Sequence, residues 1–314
     1  MNLYQTNFMK NIYAFFIISI SYGALISPHN GATIYFTHVL FEWEQIPEAT
    51  SYEIQIAGDI TFSDIIVESQ DSSLAIIQKE NIDWDNTYYW RIRPIYNSND
   101  GSWLDPFMFS TGQPLSSTSA NIINNSQTQS GITVFGAFFN YFSAAIDENG
   151  NEIWNSGTND FVYYSTSDFG NVFGCNLLPS SENNLPGLEI TFQGETIWEE
   201  PNNEFLHHDL IKLPNGNYLG IVETSSLGPI PVGGWTSSFQ SLGFQADGVT
   251  NEFPWVGDKL IEWDRVTKEA IWSWNTFDHF DMNDFDQIGG TWTEAYISLH
   301  YDWTHMNAVI FDEQ

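Results

Sequence analysis

The chain has 314 residues, 40 of them acidic and 8 basic, for a formal net charge of −32 at pH 7. No basic surface exists to track a phosphate backbone, so nucleic-acid binding is excluded, and an anionic membrane surface would repel the protein. Apolar residues make up 42% and aromatics 16%, ample for packed β-structure in two domains, and the single cysteine, Cys175, excludes an intramolecular disulfide.

The acidity reads as the solvated surface of an exported protein, with cation binding as the sharper alternative. The N-terminus agrees with export. MKNIYAFFIISISYGALIS, from Met9 to Ser27, carries one lysine, an apolar run from Ile12 to Ile20, and then the small residues Ser21, Gly23 and Ala24. These are the proportions of a secretory signal, too short for a membrane span. Residues 1–27 are therefore expected to be a signal peptide, cut between Ala24 and Ser27, with the protein secreted or periplasmic. No cysteine follows the apolar run, so a lipoprotein signal is not expected.

From residue 28 to 112 the segments are short and alternating. LFEWEQIP (40–47), SYEIQIA (51–57), NTYYWRIRPIY (86–96) and FMFSTG (107–112) predict strands at the spacing of a β-sandwich. Trp43 and the Tyr88 and Trp90 pair are expected in its core, and the pattern resembles fibronectin type III-like modules. Trp43, Tyr52 and Trp90 read as packing residues rather than a ligand platform. Residues 113–130 are rich in Ser, Thr, Asn and Gln and read as a linker or a loose first strand.

Beyond Gly131 a hairpin recurs: FSAAIDENGNEIWNSG (142–157), GLEITFQGETIWEEPN (187–202) and KLIEWDRVTKEAIWSWN (259–275). Each reads strand, polar turn, strand, with Ile-Trp in the second strand at Trp154, Trp198 and Trp272. The repetition predicts a β-propeller over residues 131–314, so the fold class is all-β. A closed propeller takes about four blades or more, at roughly 40 to 45 residues each. The span supplies fewer, and an incomplete, truncated propeller is expected.

Histidines mark the candidate site. FLHHDLIKLPNGNYLGIVE (205–223) places His207 and His208 before Asp209 in a strand, where a regular period of two would turn them to opposite faces. DWTHMNAV (302–309), read as a strand, would set Trp303, His305 and Asn307 on one face. Between them WNTFDHFDMNDFDQ (274–287) holds His279 among Asp278, Asp281, Asp284 and Asp286. His29, His38, His279 and His300 read as structural or surface residues.

Together, HHD with LPNGNYL downstream, the IEWD…TKEAIWSW hairpin and DWTHMNAV resemble the bacterial arylsulfotransferase family. The resemblance covers residues 131–314. It implies an N-terminal β-sandwich followed by a six-bladed propeller, and transfer of a sulfuryl group from an aryl sulfate donor to a phenolic acceptor through a sulfohistidine. It also implies His305 and Asn307 as site residues, with His208 or His207 as another, and no cofactor. The family's nucleophilic histidine and sulfonate-binding arginine lie downstream of its D-W-x-H-x-N segment and have no counterpart before Gln314, so the chain as given is expected to be inactive. Fixed imidazole and amide donors suit this chemistry because charge develops on the sulfonate and leaving oxygens.

Two readings compete. One is a metal site in HHD or the Asp run, although the run lacks the spacing and central glycine of an EF-hand loop. The other is a non-catalytic secreted β-propeller binding glycan or protein, with Trp235, Trp255 and Trp292 as platforms. Quinoprotein propellers share the Trp-bearing hairpin, but no further quinone-site pattern is present.

Overall fold

A computed structural model describes residues 24–124, 126–137, 141–167, 170–176, 186–201 and 206–312. Among the described residues the protein is mostly β-strand, its few helices confined to 236–298, and none of these helices is long and apolar enough to cross a membrane. The expected signal peptide lies outside the described residues up to residue 23. The rest of that span is ordered chain: Leu25–Ser27 forms a strand on Val39–Trp43, with Leu25 opposite Trp43 and buried.

The chain divides into two compact units. The first holds residues up to Ala32, Val39–Asn81 and Thr87–Phe109; the second holds Thr33–His38, Ile82–Asn86 and everything from Ser110 onward.

In the first unit, one sheet runs in the order Leu25–Ser27, Val39–Trp43, Ala75–Gln78. Another pairs Thr87–Ile95 with Ser51–Ala57 and Ser51–Ala57 with Ile65–Asp71, all antiparallel. Alternate residues of TYYWRIRPI turn inward, so Tyr88, Trp90, Ile92 and Pro94 are buried between exposed or half-exposed neighbours. They meet side chains of the first sheet, Phe41 lying edge-on to Trp90 at 5.1 Å and Trp43 to Tyr52 at 5.6 Å. Trp43, Tyr52 and Trp90 are at most 3% exposed, which makes them core.

The second unit contains three sheets, each a meander of antiparallel neighbours. The first takes Thr133–Ala137, Phe142–Ile146 and Glu152–Asn155; the second takes Phe161–Thr166, Val172–Asn176, Gly187–Ile190 and Thr196–Glu199; the third takes Leu206–Lys212, Tyr218–Pro229, Asn251–Trp263 and Ala270–Asn275. All three expected hairpins are present as paired strands. Gly150 at φ +85° and Gly194 at φ +86° occupy the left-handed positions that the first two turns require.

The described residues of 113–130 form no strand, and the first part of the segment is tied to the first hairpin. Buried Glu152 accepts from the backbone N–H groups of Leu115 and Ser116 at 2.9 and 2.6 Å.

Consecutive sheets meet through their leading strands and their tryptophans. A Cβ at Gly136 would lie 2.7 Å from the Tyr163 backbone N, so only glycine lets the first sheet approach the second so closely. Trp154 stands edge-on to Phe192 at 5.2 Å and donates its indole N–H to the Phe192 carbonyl at 2.6 Å. Trp198 stacks on Tyr218 at 3.9 Å and lies 5.9 Å from Trp263, joining the second sheet to the third.

The third hairpin departs from the expected pattern. Trp272 is 48% exposed, and the core position is filled by Trp263. Trp272 pairs with Glu262, and neighbouring strand residues face opposite ways, so it lies on the side away from Trp263.

Beneath this aromatic stack, Glu189 is 1% exposed and surrounded by donors. It accepts from Lys212 Nζ at 3.0 Å, from Asn171 Nδ2 at 2.8 Å and from the Tyr218 hydroxyl.

The long strands Tyr218–Pro229 and Asn251–Trp263 run past the rest of their sheet and carry a small lobe with helices Thr236–Ser241, Thr276–His279 and Gly290–Ser298. Its core comprises Ile230, Phe239, Ala246, Phe253, Trp255, Trp292, Ala295 and Tyr301. Tyr301–Asp302 pairs in parallel with Trp255 and Val256, on the edge that Ala270–Asn275 does not reach.

Candidate functional site

The strand Leu206–Lys212 breaks its ladder at the HHD segment. Leu206 opposes Val222 and Leu210 opposes Gly220, so four residue steps on one strand face two on the other. His208 takes φ +67°, a left-handed conformation that costs a non-glycine residue strain and re-aims the side chain. The period-two rule for His207, His208 and Asp209 therefore does not hold here. The His207 side chain lies outside the described residues.

The segment expected as a second strand is strand only at Tyr301–Asp302. Residues 303–312 run without regular structure, because their N–H groups go elsewhere. Trp303 donates to the Val256 carbonyl at 2.8 Å, Met306 to Asp258 Oδ2 at 2.9 Å and Val309 to Asp209 Oδ2 at 3.0 Å. Asp258 is 1% exposed, and its own N–H is met by the hydroxyls of Thr276 and Thr304 at 3.0 and 3.1 Å. Side-chain carboxylates thus replace a ladder.

This path brings His305 onto His208. Their Nε2 atoms are 2.8 Å apart and their ring centroids 4.9 Å, across 97 residues of sequence. On its other side, His305 Nδ1 lies 2.9 Å from Asp302 Oδ2. The carboxylate fixes the proton on Nδ1 of a neutral His305, which leaves its Nε2 as acceptor, and the shared proton then belongs to His208 Nε2. The side chains of His305 and Asp302 are 53% and 50% exposed, so the pair is open to solvent on the His305 side.

Asn307 does not join them. It is exposed, and its amide donates to the His305 carbonyl at 3.4 Å. Coil geometry removes the shared face expected of Trp303, His305 and Asn307. Trp303 is instead anchored in the lobe, donating to the Asp284 carbonyl at 2.9 Å and lying 5.2 Å from Trp255.

Burial raises the Asp209 carboxyl above its ordinary value of 3.8, against the lowering effect of the Val309 and Leu210 N–H groups. A raised folded-state value means a stabilising contribution that is complete below 3.8 and lost as pH rises through the raised value. Asp209→Asn keeps an oxygen for the Val309 N–H and removes the charge. Its melting temperature relative to the natural protein is expected to increase from about pH 4 to about pH 7. An equal difference at both pH values would contradict the burial effect.

Asp302 was visible in the D-W-T-H spacing, and Asp209 in HHD. Asp258, which positions Met306, had no local signal.

The Asp run forms turns: Asp281 accepts from Asn283 N–H at 2.9 Å, and Asp286 from Ile288 and Thr291 N–H at 2.9 and 3.1 Å. Among the described residues, no group of three or more His, Cys, Asp or Glu is placed to hold a metal ion. His279 stacks flat on Trp274 at 5.0 Å, and His300 Nδ1 lies 3.2 Å from the Ser298 carbonyl. Cys175 is fully buried beside Tyr164, and burial pushes its thiol up to about 11. A scan against protein-family models and a search of curated proteins both returned no match.

Proposed function

We propose that this protein supports sulfuryl transfer from an aryl sulfate to a phenol, with the His208–His305 pair handling the proton. The observation that carries the reading is the hydrogen-bonded series from Asp302 through His305 to His208, at 2.9 and 2.8 Å. It joins the two segments that the resemblance to arylsulfotransferases assigns to one site.

When the S–O bond of the donor breaks, its electron pair stays on the phenolate oxygen, which needs a proton. With one ring of the pair protonated, that imidazolium can supply the proton, and the neutral pair can take one back from the acceptor phenol in the second half-reaction. Asp302 holds His305 in one tautomer and orientation. The sulfuryl group passes to the nucleophilic histidine that the resemblance implies, an N–S bond forming as the S–O bond breaks.

The three sheets of the second unit are read as propeller blades. Each begins at its leading strand, and the leading strands of neighbouring sheets adjoin at Gly136 and Tyr163. The first unit is read as a β-sandwich and the chain as exported. Since Leu25 is buried opposite Trp43, mature protein is expected to start at Ala24 or Leu25, which intact-mass measurement checks. Retention of Met1 or Met9 would refute export.

The test of function is p-nitrophenol release from p-nitrophenyl sulfate, with phenol as acceptor, by the natural full-length protein. Turnover insensitive to a chelator supports the proposal. Loss of turnover with a chelator indicates a metal site, and absence of turnover a binding protein.

A further inference from the structure

We infer that the lobe on the third sheet carries a binding site for a neutral saccharide. A cavity of about 640 Å³ opens between the ends of the Thr236–Ser241 and Gly290–Ser298 helices. Its walls include Trp235, Ser238, Phe285, Gln287, Trp292 and Tyr296, and none of its lining residues is charged. In a chain of net charge −32, an uncharged cavity of this size selects for a neutral occupant. An anion would find no Lys or Arg there, and a cation no carboxylate.

The walls combine aromatic surface with hydrogen-bonding groups. Trp235, Phe285 and Tyr296 are each partly exposed. Trp235 is held rigidly: its indole N–H donates to the Pro231 carbonyl at 2.9 Å, and its ring stacks 5.8 Å from Trp292. A Cβ at Gly233 or Gly289 would come within 2.5 or 2.4 Å of that ring, so glycine at both positions lets the backbone close on it.

Trp292 contributes differently. Its ring is fully buried and cannot serve as a platform; it supports Trp235 from behind. Pyranose rings present C–H groups to aromatic faces and hydroxyls to groups such as Ser238 and Gln287, the combination found here. The exposed apolar side chains Val232 and Ile288, 70% and 97% exposed, stand among the lining residues. The inference shares no residue with the histidine pair, so either reading can fail without the other.

The test is isothermal titration calorimetry of the natural protein with cellobiose, maltose and N,N′-diacetylchitobiose, using glucuronate and p-nitrophenol as anionic and aromatic controls. At least one neutral disaccharide is expected to bind one-to-one with Kd near or below about 1 mM. Trp235→Ala should weaken that binding about tenfold or more, and Gln287→Ala about two- to tenfold. Gln287 is exposed, so its variant keeps the test valid if Trp235→Ala fails to fold. The inference is overturned if none of the three disaccharides binds, if glucuronate or p-nitrophenol binds as tightly, or if the folded variants bind like the natural protein.

Discussion

Replacing His305 by alanine in the natural full-length protein is expected to lower turnover of p-nitrophenyl sulfate by about 10²-fold or more, the usual scale for losing a positioned acid or donor. His208→Ala should cost a similar factor. The double variant should be little worse than either single one, because a proton shared between two rings is lost once. Folding should be nearly unaffected by the His305 change, since that side chain is 53% exposed and buries little. Asp302→Asn should lower turnover less, because the amide oxygen can still accept from His305 Nδ1 and hold the ring. Wild-type turnover by His305→Ala, or fully multiplicative losses in the double variant, would refute the joint role of the pair.

Glu189→Ala is expected to be the most destabilising substitution among the polar residues discussed, by about 3 kcal/mol or more in urea unfolding. The side chain is 1% exposed, and its loss strands the Lys212 ammonium, the Tyr218 hydroxyl and the Asn171 amide at the junction of two sheets. Lys212→Met should cost less. Lys212 is 38% exposed, and without it Glu189 still accepts from Tyr218 and Asn171. A smaller loss for Glu189→Ala than for Lys212→Met would show that the carboxylate does not organise the junction.

How much of this was legible in the sequence varied with how local its cause was. The hairpins could be read because Asn149-Gly150 and Gln193-Gly194 supply positive φ within the turn itself, and the alternation of Tyr88, Trp90 and Ile92 is written residue by residue. Residues 303–312 misled, because their irregular course is set by Asp258 and Asp209, acceptors on other strands. The exposure of Trp272 follows from its register opposite Glu262, which the recurring Ile-Trp pair could not disclose. The Gly290–Ser298 helix buries only Trp292 and Ala295, too little to impose a readable period. At the site, the residue types were visible in HHD and D-W-T-H. That they share one site was an expectation of the resemblance alone; strand periodicity could not give their contact, since it depends on the left-handed His208.

The 97-residue separation of His208 and His305 also makes their contact a sensor of complete folding. Hairpin contacts close short loops and can form early, whereas a long loop has a larger closure entropy. Moreover, the segment that carries His305 is anchored by the pairing of Tyr301–Asp302 with Trp255 and Val256. Native ring proton signals from the two imidazoles would therefore mark molecules in which both the sheet and the lobe have assembled, independently of any catalytic assay.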